Sequence, residues 1–303
     1  MRLLEGHPAL TIAGAAAHSQ AGVAVDVVHP HLHAGDGRFL TLEEAADLPV
    51  DVCFSCLPSG ALASVEGGLD AGVVVDLSDD HRASGTWTYG LTEHARSEVA
   101  QARRIANPGC YPTASLLGLV PFAGVGLIEG PVIIDALSGV SGAGKGLSDA
   151  MSFSALHGSV GAYGATTHRH VPEIERGLAA FGGADLTVSF TPHLVPMARG
   201  LLVTARASLS APCDDAAVLD VLHAAYDAEP FVSVTAEWPS TKSVLGTNRA
   251  LVSARVDARA GLLVVSSAID NLGKGAAGQA LQNANVALGL GETSGLEQIA
   301  VWP

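Results

Sequence analysis

Apolar and polar positions along the chain fall into two regimes. Up to about residue 106, short β-rich runs, "ALTIAGAAA", "VDVCFSCLP" and "GVVVDLS", alternate with the helix-like segments "LEEAADL" and "PSGALASVEGGLDAG". Parallel strands joined by helices are covered on both faces and therefore read as nearly continuous apolar stretches. This predicts a doubly wound sheet that takes ligands at the carboxyl ends of its strands. From about 109 to 270 the spacing changes: "GPVIIDALSGV", "ADLTVSFTPHLV", "GLLVTARASLS", "ALVSARVDA" and "GLLVVSSAID" read as strands, with one clear helix, "CDDAAVLDVLHAAYDAE". Strands with few intervening helices predict a mixed or antiparallel sheet and hence an α+β second domain. The closing "GKGAAGQALQNANVALGLG" reads as an Ala-rich helix that opens on glycines and returns to the first domain.

Composition narrows the partners. Apolar residues make up 48% of the 303 residues and charged ones 15%, which excludes a largely disordered chain. A net charge of −14, with only 16 Lys and Arg, excludes a general nucleic-acid surface, so any anionic ligand needs a local cluster. The stretch "TASLLGLVPFAGVGLIEG" is too short and too broken by Pro121 and glycines to span a bilayer, and the first residues lack a signal-peptide core. A soluble, cytoplasmic protein is expected. Cys53, Cys56, Cys110 and Cys213 are too few and too irregular for a disulfide framework, which leaves thiols available.

One of those thiols has a distinctive setting. In "NPGCYPTA", Cys110 follows a Pro-Gly turn and precedes Pro112 and an apolar run, so it is predicted at the N-terminus of a buried helix. The positive end of the helix dipole favours thiolate there, and the same N–H groups can receive an oxyanion. His193 in "FTPHLVPMARG" is the candidate proton carrier, predicted near a strand end, with Arg199 as a cation for a carboxylate. The loop "SGVSGAGKG", with Ser141, Gly142 and Lys145, offers successive backbone N–H groups to an anion but lacks the spacing of a P-loop. "YGATTHRHVPEI" gathers His168, Arg169, His170 and Glu173, fitting an anionic substrate better than a metal. The spacings "CFSC" and "HPHLH" suggest metal chemistry, yet one sits in an apolar strand and the other in a polar loop, and no metal is expected.

Taken together and in order, "NPGCYPTA", "SGVSGAGK", "YGATTHRHVPEI", "FTPHLVPMARG" and "NLGKGAAGQALQNAN" resemble the N-acetyl-γ-glutamyl-phosphate reductases of arginine biosynthesis over nearly the whole chain. The resemblance implies a Rossmann-like cofactor domain from 1–108 and 272–303, and an α+β catalytic and dimerisation domain of the semialdehyde-dehydrogenase type from 109–271. It implies a Cys110 thioester reduced by NADPH, with His193 as general acid and base, and Ser141, Lys145, His168, Arg169 and Arg199 on the substrate. For NADP(H) it points to Ser19 at the adenosine 2′-phosphate, Leu57, Pro58 and Ser59 along the cofactor, Asn271 and the following "GKGAAGQ" turn on the nicotinamide side, and Gly142 as a further cofactor residue. A homodimer or homotetramer follows by the same resemblance.

Members of that family begin with a strand and a Gly-rich turn ahead of the segment matching "RLLEGHP". The expectation is a natural chain longer by roughly 25 to 40 residues, the size of one strand, loop and helix. Other readings stay open: a cofactor-free thiol acyltransferase or hydrolase, a non-catalytic homologue, and a reductase of a carrier-bound aminoadipyl phosphate.

Overall fold

The computed structural model describes residues 1–32, 37–144, 146 and 148–302. Two compact units appear: Met1–Asn107 with Ala280–Glu297, and Pro108–Gln279 with Gln298–Pro303.

The first unit carries α1 (Arg2–Glu5), α2 (Val25–Val28), α3 (Leu42–Ala46), β1 (Val50–Ser55), β2 (Ala71–Asp76), β3 (Thr88–Tyr89), α4 (Thr92–Val99) and β4 (Arg104–Ala106). Its sheet has the order β1-β2-β4-β3 and all its pairings are parallel. Val73, Val74 and Val75 are all buried, so consecutive side chains on both faces of β2 are covered, as the continuous apolar run requires. Leu62, Val74, Trp87 and Ala106 form the core, and Leu57 packs against it. A capping box fixes the start of α3: the Thr41 hydroxyl accepts from the Glu44 N–H, and the Glu44 carboxylate accepts from the Thr41 N–H at 2.8 Å.

Three sequence expectations change here. "ALTIAGAAA" is not a strand: among the described residues its one β-bridge is Ala16↔Leu40, while Ala15 and Ala17 pack against Val25, Leu32 and Phe39 and Ile12 is exposed. A ladder needs a continuous partner, and among the described residues this segment has one rung. "PSGALASVEGGLDAG" forms only two 3₁₀ turns, Leu62–Ser64 and Glu66–Gly68, because Gly60, Gly67 and Gly68 leave no uninterrupted helical stretch. The helix α4 was not anticipated; its polar surface, with Thr92, Ala95 and Val99 as its buried residues, gives little periodic signal.

The second unit contains α5 (Cys110–Gly124), β5 (Ile128–Ser138), α6 (Phe153–Leu156), β6 (Gly161–Ala162), α7 (Val171–Gly182), β7 (Val188–Leu194), β8 (Leu201–Leu209), α8 (Asp215–Tyr226), β9 (Val232–Val234), β10 (Ala250–Asp257) and β11 (Leu262–Ile269). A π-helical turn, Gly273–Ala277, leads into α9 (Gly278–Ala287). The seven-stranded sheet has the order β6-β7-β5-β8-β11-β10-β9, with β5/β7 and β10/β9 parallel and the other pairs antiparallel. One face is apolar and buried: Val132, Ile134 and Ala136 on β5, Leu201, Val203 and Ala205 on β8, Leu263 and Val265 on β11. The helix α5, buried from Tyr111 to Ala123, lies on that face. It also packs tightly on α7, where a Cβ at Gly177 would collide with a Leu116 methyl. Among the described residues, no helix is long and apolar enough to cross a membrane.

Candidate active site

Cys110 is the first residue of α5, after the N-cap Gly109, and it is a half-buried thiol outside any disulfide. The helical ladder begins with the Thr113 N–H donating to the Gly109 carbonyl at 2.9 Å, and Pro112, in the first turn, has no N–H to leave unpaired. The Cys110 and Tyr111 N–H groups therefore lie ahead of the first rung, at the positive end of a 15-residue helix. The π-turn passes close by: an ideal Cβ at Gly275 would be 2.8 Å from Cys110 Cβ.

Around Tyr111 the structure assembles an aromatic cluster. Its hydroxyl is 2.8 Å from that of Tyr163, and its ring meets those of His168 at 5.6 Å, His170 at 5.9 Å and Phe190 at 5.2 Å. Burial, then the bond with Tyr163, pushes the Tyr111 phenol far above its ordinary value; burial raises Tyr163 too, and the Cys110 charge acts on both. Both are therefore neutral hydroxyls beside the thiol. Burial, then the Arg169 cation, holds His168 below the usual imidazole value, so it is neutral at pH 7. The His168 Nδ1 accepts from the His170 N–H at 3.2 Å, Arg169 is exposed, and His170 is the N-cap of α7.

His193 lies near the end of β7, opposite Leu137 of β5 and Ala162 of β6. Side chains alternate across a strand, so the buried Phe190, which meets Tyr111, and His193 point to opposite faces. His193 Nδ1 is buried without a hydrogen-bond partner in the described structure. The cluster near the thiol thus contains His168 and His170, while His193 projects from the other side of the strand.

The Gly-rich loop follows β5 as a 3₁₀ turn, Val140–Ala143. Asn271 clamps it: its Nδ2 donates to Ser141 Oγ at 3.0 Å, and its Oδ1 accepts from the Gly200 N–H at 2.8 Å. Gly142 is exposed, and a Cβ there would lie 3.7 Å from the Asn271 amide nitrogen. Arg199 is paired with the fully buried Asp270, at 2.8 Å from its Nη2 and 3.2 Å from its Nε. Asp270 also accepts from the N–H groups of Gly246, Leu272 and Gly273. Lys145 lies outside the described residues.

In the first unit, Ser19 sits exposed in the turn between the bridges Ala16↔Leu40 and Ala24↔Arg38. Leu57, Pro58 and Ser59 follow the carboxyl end of β1; Ser59 Oγ donates to Asp79, and the Gly60 N–H donates to both Asp80 carboxylate oxygens at 2.8 and 2.7 Å. The carboxyl end of a parallel strand is where such sheets take a dinucleotide, and the Gly60 N–H is an anion donor at that place whose acceptor in this structure is Asp80. Among the described residues, no three His, Cys, Asp or Glu side chains gather as a metal set.

The model of the semialdehyde dehydrogenase NAD-binding domain matches residues 1–102, and that of the semialdehyde dehydrogenase dimerisation domain matches residues 110–271. An N-acetyl-γ-glutamyl-phosphate reductase of Arthrobacter sp. (strain FB24) is 45% identical, with all of this chain and 95% of the relative aligned. The chain belongs to the N-acetyl-γ-glutamyl-phosphate reductase family. Another member, from Frankia casuarinae, is 44% identical over the same shares. The fold is that of aspartate semialdehyde dehydrogenase II from Vibrio cholerae, with a TM-score of 0.68 at 19% identity over 85% of each chain. Against this family background, Tyr111, Tyr163, Asp270 and Gln279 are site neighbours that sequence reasoning did not single out. Tyr111, Tyr163 and Gln279 did carry a signal, since each lies inside one of the motifs that resemble the family.

Proposed function

We propose that this chain is the NADPH-dependent reductase that converts N-acetyl-γ-glutamyl phosphate to N-acetylglutamate semialdehyde and phosphate in arginine biosynthesis. The observation that carries this reading is Cys110 at the first position of α5, with two N–H groups ahead of the helical ladder. The Cys110 thiolate attacks the γ-acyl carbon, the carbonyl oxygen becomes an oxyanion at the helix N-terminus, and its collapse expels phosphate and leaves a thioester on Sγ. NADPH, when bound, supplies the hydride. Ser19 would hold the adenosine 2′-phosphate, Leu57, Pro58 and Ser59 would run along the cofactor, Asn271 would serve its nicotinamide side, and Gly142 is a further cofactor residue. Ser141, Lys145, His168, Arg169 and Arg199 serve the substrate.

The proton carrier is His193 in the reading made from sequence. A second reading gives this role to the His168–His170 pair, because that pair packs on Tyr111 whereas His193 points to the opposite face of β7. Replacing each by Asn separates them: the variant that loses the acid or alkaline limb of the pH–rate profile identifies the carrier.

The protein works in the cytoplasm as a homodimer or homotetramer. The match to a dimerisation domain supports association, as does the outer sheet face with exposed Ile133 and the Arg206–Asp135 pair at 3.0 Å. The chemistry is tested by mass spectrometry of enzyme mixed with acyl phosphate in the absence of NADPH. An N-acetylglutamyl adduct on Cys110 supports the reading; an unmodified Cys110 refutes it.

A further inference from the structure

Gly109 is held at both its peptide groups. Its N–H donates to Oε1 of Glu173, a buried carboxylate in the first turn of α7, at 2.9 Å. Its carbonyl accepts from the Thr113 N–H and the Thr113 hydroxyl, both at 2.9 Å. The Thr113 oxygen in turn accepts from Gln279 Nε2, also at 2.9 Å, and Gln279 is fully buried in α9. Because the Thr113 hydroxyl gives its proton to Gly109, Gln279 must present its NH₂ and not its carbonyl; its Oε1 is correspondingly without a partner in the described structure.

The peptide bond is planar and trans, so a carbonyl's direction fixes that of the N–H on the next residue. Holding the Gly109 carbonyl therefore aims the Cys110 N–H out of the helix, and holding the Gly109 N–H fixes the preceding plane. Together the two planes fix the direction of the Cys110 N–H and the position of the Cα from which its side chain departs. We propose that Glu173 and Gln279 are positioning residues of the nucleophile, acting through the two peptide groups of Gly109. Neither contacts the reacting atoms in this role; each removes a degree of freedom from the turn that carries Sγ and the oxyanion donors. The proposal deepens the reductase reading and rests on it for the rate of turnover, but not for the reactivity of the thiol.

The test uses the full chain with Glu173→Ala, Glu173→Gln and Gln279→Ala, and reads kcat, KM and the rate of Cys110 alkylation by iodoacetamide. Losing a preset geometry of this kind costs on the order of 10- to 100-fold in rate. Glu173→Ala and Gln279→Ala are expected to lose that much in kcat with KM within about twofold, and to change the alkylation rate. Glu173→Gln keeps an acceptor for the Gly109 N–H and is expected to recover kcat to within about threefold of the parent. Unchanged kcat in both alanine variants, or a Glu173→Gln variant as slow as Glu173→Ala, overturns the proposal. If Glu173→Ala does not fold, Glu173→Asp, which draws the carboxylate back by one methylene, must show the same kcat loss. A parent inactive on the acyl phosphate but with variant-sensitive alkylation would sink the reductase reading and leave the positioning intact.

Discussion

Gly275→Ala should inactivate the protein out of proportion to its effect on stability. The added Cβ would lie 2.8 Å from Cys110 Cβ, 3.2 Å from Ile269 Cδ1 and 3.3 Å from the Asp270 carbonyl oxygen. Carbon atoms rest at about 3.5–4.0 Å, so the pair must separate by about 1 Å. Cys110 Cβ is not the far end of a flexible side chain, and the π-turn is tied back by the Gly275 N–H donating to Asp270 O at 3.0 Å. The displacement therefore falls on the nucleophile or on the turn facing it. A shift of about 1 Å at a reacting centre costs roughly 100-fold in rate, whereas overpacking costs about 1–3 kcal/mol in stability. Steady-state formation of NADPH from N-acetylglutamate semialdehyde, NADP and phosphate measures the first effect, and urea unfolding the second. A folded Gly275→Ala protein with kcat within threefold of the parent would refute the geometry.

Asp270→Ala strips four groups of their acceptor, including the Arg199 guanidinium, and should destabilise by about 3–5 kcal/mol, read as a lower urea midpoint at constant slope. His168 has its folded-state value depressed below 6.5, so the unfolded chain binds more protons in that window; stability should fall as pH drops below about 6.5, and His168→Asn should flatten that dependence in urea titrations. Ser19→Ala should raise KM for NADPH by about 10-fold, the worth of one hydrogen bond to a charged group, and leave KM for NADH unchanged.

Much of the second unit was legible because its strands are long and its buried face alternates, as in Leu201, Val203 and Ala205. The thiol's place was legible for a local reason: Pro-Gly before Cys110 and Pro112 after it specify a helix start. Segments with weak or interrupted periodicity were not, as the 3₁₀ turns around Gly67 and Gly68 and the single-rung "ALTIAGAAA" show. Long-range polar partners were invisible. Arg199 reads as an available cation until Asp270, 71 residues away, is seen against it. Glu173 reached Gly109 across 64 residues, and no spacing rule connects the two. The face on which His193 points also depends on strand register, which the sequence run "FTPHLV" does not set by itself.

The most direct test is NADP reduction by this chain, with N-acetylglutamate semialdehyde and inorganic phosphate, beside Cys110→Ser. The account predicts phosphate-dependent NADPH formation by the parent and at least a 1,000-fold lower rate for the serine variant, since an alkoxide nucleophile is scarce at neutral pH and a thiolate is not. Equal rates in the two proteins, or turnover that does not depend on phosphate, would contradict it.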